Sequence, residues 1–265
     1  MIGYTSVRQA MEYDGSEHSI MCGIPSPLEI RHTWYQNEPY WTIEQAQTAF
    51  ISQQNRWLKI STHMSLKHIF ETVNLPTNIT KVVCFGLGSI DRIRWIGSER
   101  MEAEEEERGS THALLQHCAA LSLKTWAEGR CGKEVQCLVQ DPVYNDLDKV
   151  FLPSIGITIV EDPKGFLEVD ENTLVFSVGP NVPVREIIAE IAQPAVMVWD
   201  KVQEDSVLTT DPVSRRVWEL VQQYEEFDIP ACDEITYSLL SVYVRKATSA
   251  GRVTELASHG QGLDS

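Results

Sequence analysis

Five short apolar runs in this chain each lead into a glycine or a carboxylate. They are Lys81–Phe85 ahead of Gly86, Val135–Val139 ahead of Asp141, and Ile157–Val160 ahead of Glu161 and Asp162. Thr173–Val178 ahead of Gly179 and Ala195–Trp199 ahead of Asp200 complete the set. Continuous apolar runs of this length mark strands buried on both faces of a parallel sheet. Segments of helical period separate them. Thr111–Glu128 carries Ala113, Leu114, Leu115, Cys118, Leu121 and Trp126, and Val184, Ile187, Ile188 and Ile191 line one face of another helix. Asn181 is the expected N-cap of that helix, with Pro183 in its first turn. A further helix is expected from Asp211-Pro212, with Val213, Val217, Leu220, Val221 and Tyr224 inward, and Ile235–Val244 reads as a last strand.

Strands alternating with helices require a parallel sheet with right-handed crossovers. The expected fold class is α/β, a Rossmann-like parallel sheet with helices on both faces. Open sheets of this kind bind ligands outside the carboxyl ends of their strands, so the polar ends of the five runs converge on one crevice. Residues 1–40 read as irregular. Thr42-Ile43-Glu44-Gln45 is a capping box at the head of a helix carrying Ile43, Ala46, Phe50 and Trp57. Ser65 precedes a second helix with Leu66, Ile69, Phe70 and Val73, ended by Pro76. The chain divides into a partly helical N-terminal extension packed on the core (1–78), an α/β domain (79–246) and a flexible tail (247–265). Glu99–Arg108, rich in glutamate, reads as a mobile surface insertion.

The formal charge is −16, which opposes broad binding to a phosphate backbone and suits a cationic substrate or a solvated acidic surface. Six cysteines form no CxxC pair, and Cys84, Cys118 and Cys137 lie in apolar runs, so they read as buried free thiols of a reducing compartment. The N-terminus lacks a secretion-signal layout, and no apolar stretch approaches the ~18–20 residues of a membrane span. The expectation is a cytoplasmic protein. The seven histidines show no metal-ligand spacing, His112 and His117 being five apart. No GxSxG, P-loop, HExxH or zinc-finger pattern occurs, and neither a metal nor a cofactor is expected.

Three candidates carry chemistry. Gly86-x-Gly88 follows a strand as half of a dinucleotide fingerprint, with Asp91 where the third glycine would stand; it either cradles phosphate or simply turns the backbone. Asp141 either takes a ribose hydroxyl or closes a turn ahead of Pro142. Asp200 and Glu204 share a face if a helical turn follows the fifth strand. There they would divide into base and charge stabiliser or clamp a guanidinium; otherwise they form a solvated loop paired with Lys201.

Several blocks in order resemble the SRR1-like domain in its fungal form. They are Lys81–Ser89, Gln140-Asp141-Pro142-Val143-Tyr144, Asp162–Leu167, Asn172–Ser177 and Pro180–Arg185, within roughly residues 55–230. That family includes regulatory proteins of light signalling and clock function, and a fungal branch of arginine-containing cyclodipeptide synthases. The branch uses a DDxxE motif, which Asp200-Lys201-Val202-Gln203-Glu204 resembles with Lys201 in place of the second Asp. The resemblance implies an enzyme that joins arginine and a second amino acid from aminoacyl-tRNAs, with Asp200 and Glu204 catalytic. Gly86, Gly88, Ser89, Asp141, Tyr144 and Asn181 would line the crevice. Binding of tRNA would rest on local cations among Arg92, Arg94, Arg215, Arg216, Arg245 and Lys246. The alternatives are a non-catalytic SRR1-like regulator and a nucleotide- or S-adenosylmethionine-dependent enzyme.

Overall fold

The computed structural model describes residues 2–4, 28–30, 41–91, 103–203, 210–230 and 239–246, with the backbone alone for 2–4, 28–30 and 103–109. Strands β1 (Ile2–Tyr4) and β2 (Leu28–Ile30) pair antiparallel. Helices α1 (Ile43–Trp57) and α2 (Ser61–Thr72) precede β3 (Lys81–Phe85). Then follow α3 (Ala103–Cys131), β4 (Gln136–Gln140), α4 (Asp146–Ser154), β5 (Thr158–Ile159), α5 (Lys164–Leu167) and β6 (Thr173–Ser177). The described chain closes with α6 (Val184–Ile191), β7 (Val196–Asp200), α7 (Arg215–Val221), β8 (Tyr224–Ile229) and β9 (Leu240–Arg245).

Seven strands form one sheet in the order β5-β4-β3-β6-β7-β9-β8. The five apolar runs are its parallel part, in register from Lys81↔Gln136 and Lys81↔Thr173 outward. The sheet as a whole is mixed, because β9 runs antiparallel to β7 and to β8. Successive side chains of a strand face opposite ways. Val82 and Cys84 thus enter a core with Phe50 and Trp57 of α1, Leu66 and Phe70 of α2, Leu114 and Leu123 of α3, and Phe151 of α4. Val83 and Phe85 enter a second core with Phe166, Val184, Ile188, Val217 and Leu220 from α5, α6 and α7. Helices therefore cover both faces.

Local chemistry accounts for the helix boundaries. At α1 the capping box forms: Gln45 N–H donates to Thr42 Oγ1 and Thr42 N–H to Gln45 Oε1. Trp57 Nε1 donates to Ser122 Oγ of α3 at 2.8 Å, and Phe50 meets Phe151 edge-on at 5.6 Å.

Other expectations are corrected. Helix α2 starts at Ser61, four residues before Ser65. The acidic run is no loop from residue 103 onward: Glu104–Glu107 lie in the first turns of α3, where the positive end of the helix dipole favours acids. Pro183, not Asn181, occupies the N-cap position of α6. Helix α7 starts at Arg215 behind a Ser214 cap, not at Asp211-Pro212. Tyr224 opens β8; its spacing from Val217, Leu220 and Val221 imitates a helical stripe across the turn at Gln222 and Gln223.

Arg92, Arg94, Glu204 and the tail lie outside the described residues. Among the described residues no helix is long and apolar enough to cross a membrane. Cys84, Cys118, Cys131 and Cys137 are free thiols, and all but Cys131 are buried.

Candidate functional site

The carboxyl ends of β3, β4, β6 and β7 meet at one edge. After β3 the backbone takes two left-handed steps, at Gly86 (φ +71°) and Gly88 (φ +75°), which only glycine adopts without strain. Both are also tightly approached. A Cβ on Gly86 would lie 3.0 Å from Pro180 Cα, and one on Gly88 would lie 3.3 Å from Ala113 Cβ. Gly86 N–H donates to Gln140 O at 3.2 Å. Gly88 N–H donates to Asp141 Oδ2 at 2.8 Å, and Val143 N–H to Asp141 Oδ1 at 3.0 Å. Asp141 therefore closes the turn before Tyr144 and ties the loop after β3 to the loop after β4. Burial pushes its carboxyl above the ordinary value, against the pull of those two N–H groups.

Ser89 and Tyr144 lie beneath the edge. Ser89 is 2% exposed and donates to Asp148 Oδ2 at 2.7 Å. Asp148 also accepts from Ile90 N–H and Asn145 N–H, and burial pushes it up to about 6. Asn145 Nδ2 donates to Asp91 Oδ2, whose other oxygen accepts Trp41 N–H. This network fastens the β3 loop to the head of α4, where Asn145 caps Leu147 and Asp148. Tyr144 is buried against His117. His117 Nδ1 lies 2.7 Å from Ala113 O, which only accepts, so that nitrogen carries the proton. Its Nε2 then accepts the Tyr144 hydroxyl at 3.0 Å. Burial holds His117 down at about 4 and pushes the Tyr144 phenol well up.

At the other end of the edge, Asp200 closes β7 half-buried, and its Oδ2 accepts Gly179 N–H at 3.2 Å. No helical turn follows. Lys201 N–H donates to Leu239 O and Val202 N–H to the Tyr243 hydroxyl, so residues 201–203 run on in extended form. Glu204, the other member of the expected pair, lies outside the described residues. Lys201 Nζ reaches Asp228 at 2.7 Å, an acid of β8. Asn181 lies exposed beside Pro180.

Sequence reasoning missed the pair that anchors this end. Arg185, 2% exposed, opens α6 and meets Asp211 through Nε–Oδ2 at 2.9 Å, while its own N–H donates to Oδ1 at 2.9 Å. Nη2 donates to Asp211 O and Nη1 to Asp200 O. Burial pushes Asp211 up to about 7, with Arg185 pulling the other way and Asp200 adding to the rise. The available signal was an arginine between Val184 and Ile188 on an apolar face, which demands a buried partner. In the block Asp162–Leu167, Gly165 lets α5 close on the sheet. Its N–H donates to Gln140 Oε1 at 2.7 Å, and Phe166 stacks on Phe85 at 4.4 Å.

Three carboxylates, Asp141, Asp200 and the buried Asp211, lie along this edge, each accepting a backbone N–H from a different segment. Among the described residues no group of three or more His, Cys, Asp or Glu is arranged to hold a metal ion. The chain is similar to a solved structure, cofactor-bound Rv0187 from MTB, at 10% identity over 76% of this chain and 89% of that one, with a TM-score of 0.38. No curated protein matches the sequence. The family model for the SRR1 domain matches residues 66–248, well over half of the chain and every strand from β3 to β9. The chain belongs to the SRR1 domain family.

Proposed function

We propose that this chain joins arginine and a second amino acid, delivered as aminoacyl-tRNAs, into a cyclic dipeptide at the carboxyl edge of its sheet. The observation that supports the reading is Asp200, a carboxylate at the end of β7, held by Gly179 N–H and backed by the Arg185–Asp211 pair. A carboxylate in such a place receives a guanidinium through two parallel hydrogen bonds or accepts a proton from an attacking ammonium. The aminoacyl ester is already activated, so the reaction needs chiefly a neutral amine held against an ester carbonyl. The amine of one aminoacyl group attacks the other carbonyl, a C–N bond forms, and the ester C–O bond breaks. The tRNA ribose oxygen leaves with the proton, and a second attack closes the ring and frees the second tRNA. Asp200 and Glu204 take the acid–base and arginine-binding roles. Gly86, Gly88 and Asp141 shape the wall, while Ser89 and Tyr144 support it from beneath.

A non-catalytic SRR1 protein is the second reading. Lys201 favours it, because it stands where the DDxxE pattern has an acid and its ammonium is held by Asp228. Mass spectrometry of extracts from cells expressing the chain, beside Asp200→Ala and empty-vector controls, separates the two. The synthase reading expects a new arginine-containing cyclic dipeptide that disappears in the variant. No product from folded protein refutes it and leaves the non-catalytic reading.

A further inference from the structure

We infer that the amino end of α2 is a second site of this chain, that it takes a phosphate-sized oxyanion, and that Ser61, Thr62 and His63 hold the anion there. The inference goes beyond the proposed reaction and does not rest on it. Trp57 at the end of α1 bonds to Ser122, nine residues past Ala113 in α3, whereas Ala113 packs on Gly88. The site therefore lies about 14 Å along that helix from the glycine turn.

The first N–H groups of an α-helix find no partner within the helix and are met by a cap, by water or by a ligand. At α2 the chain supplies no cap. The N-cap residue is Ile60, a hydrocarbon side chain, and the first turn holds no acid. Met64 N–H donates to Ile60 O, but among the described residues the N–H groups of Ser61, Thr62 and His63 meet no acceptor. Two side chains of the same turn point to a ligand independently. Thr62 is 0% exposed and His63 9%, yet Thr62 Oγ1 and His63 Nδ1 are buried with no hydrogen-bond partner. Buried polar atoms normally have one. Helix side chains tilt toward the amino end, and the His63 ring accordingly lies back against Trp57, the last residue of α1, at 5.3 Å. Both side chains thus lean toward the end that carries the unmet N–H groups.

The charge around this turn suits an anion. From Gln45 to Phe70 the sequence holds no aspartate or glutamate, in a chain with 38 of them, and it holds Arg56, Lys59 and Lys67. Lys59 and Ser61 are exposed, which gives access from solvent. Burial and the nearby Lys67 disfavour a charged His63 ring, and an oxyanion beside it opposes both effects. A phosphate accepts from backbone N–H groups at a helix amino end, where the helix dipole also favours it. Its remaining oxygens accept from the Thr62 hydroxyl and from His63 Nδ1, in the tautomer that carries the proton there.

The test titrates the full chain, in chloride buffer, with inorganic phosphate and separately with adenosine 5′-monophosphate. Calorimetry reads affinity, NMR of the backbone amides reads location, and circular dichroism checks folding. Wild type is expected to bind phosphate saturably at millimolar concentration, with the amides of Ser61, Thr62 and His63 shifting together. Tighter binding of the nucleotide supports the inference with a phosphate ester as the ligand, and tighter binding of inorganic phosphate supports it with the free ion. Ser61→Pro deletes one of the N–H donors. Proline is favoured at the first helical position, and Ile60 already has the extended backbone (φ −81°, ψ 154°) that a following proline requires, so this variant is expected to fold. It is expected to bind phosphate at least about tenfold more weakly, as is Thr62→Val, which removes the hydroxyl and keeps the branched shape. If Thr62→Val does not fold, Ser61→Pro carries the test. No saturable phosphate binding by folded wild type overturns the inference. Amide shifts confined to other segments, or folded variants that bind as tightly as wild type, overturn it as well.

Discussion

Arg185→Met leaves an unbranched chain in the same space and deletes the guanidinium that Asp211 faces. The two side chains are 2% and 5% exposed, so water cannot replace the lost partner. Leaving one member of a buried pair uncompensated costs about 3–5 kcal/mol. Arg185 keeps its backbone N–H on Asp211 Oδ1, which places the cost at about 3 kcal/mol. The pH dependence follows from Asp211, which burial pushes up to about 7 from an ordinary 3.8. A carboxyl that holds its proton more tightly when folded makes the fold less stable as pH rises between those two values. In wild type that decline ends near pH 7. Without Arg185 it continues upward, so the variant's penalty grows by about 1.4 kcal/mol for each pH unit above 7 until the new pKa is passed. Urea denaturation followed by far-ultraviolet circular dichroism at pH 5 and pH 8 measures this for Arg185→Met, Asp211→Asn and the double variant. The double variant is expected to recover most of the loss, because it leaves no unpaired buried charge. A penalty under about 1 kcal/mol at pH 8, or single penalties that simply add, would refute the reasoning.

His117 works in the opposite sense. It is held at about 4 against an ordinary 6.5, so the unfolded chain takes the proton first and stability falls as pH drops from about 6.5 to about 4. NMR titration is expected to find the ring neutral at pH 5, and Tyr144→Phe, which orphans Nε2, is expected to cost about 1–3 kcal/mol in urea at pH 7. Two glycine-to-alanine changes should differ in sign by thermal denaturation. Gly165→Ala puts a Cβ 2.6 Å from Gln140 Oε1 and 3.0 Å from Phe85 Cε1 and costs about 1–3 kcal/mol, whereas Gly129→Ala meets nothing within 4 Å inside α3 and gains about 0.5–1 kcal/mol.

The parallel half of the sheet was readable because strands buried on both faces must be apolar throughout. Val82–Phe85 and Leu174–Phe176 have no solvent face on which to place a polar residue. Strand β8 escaped for the converse reason. Tyr224 and Ile229 are buried while Glu225, Glu226 and Asp228 are exposed, a pattern with neither a run nor a strict alternation. The acidic start of α3 read as a loop because charge density outweighed helix propensity in the reading, although glutamate is a good helix former. In the site, the positions that turn the backbone, Gly86 and Gly88, were visible, and so was the turn option at Asp141. What joins them was not. Gly88 and Asp141 are 53 residues apart, and Arg185 and Asp211 are 26 apart. A buried arginine declares that it needs an acid, but with 38 acidic residues in the chain it does not say which.

The two margins of the sheet differ in construction but share an effect on how the protein meets other molecules at high concentration. On one side β5 contributes only Thr158 and Ile159, too short a template for an incoming strand. On the other, β8 is six residues long and is the last strand of the sheet among the described residues, but it carries exposed Glu225, Glu226 and Asp228 in place of apolar side chains. A strand adding there would bring a second acidic ribbon against the first, and like charges across a ladder oppose pairing. Part of the chain's large negative charge thereby keeps an otherwise adhesive border from recruiting copies of itself. Replacing Glu225 with threonine would weaken that guard without touching the core, whereas Glu226 and Asp228 also hold Tyr243, Ser241 and Lys201.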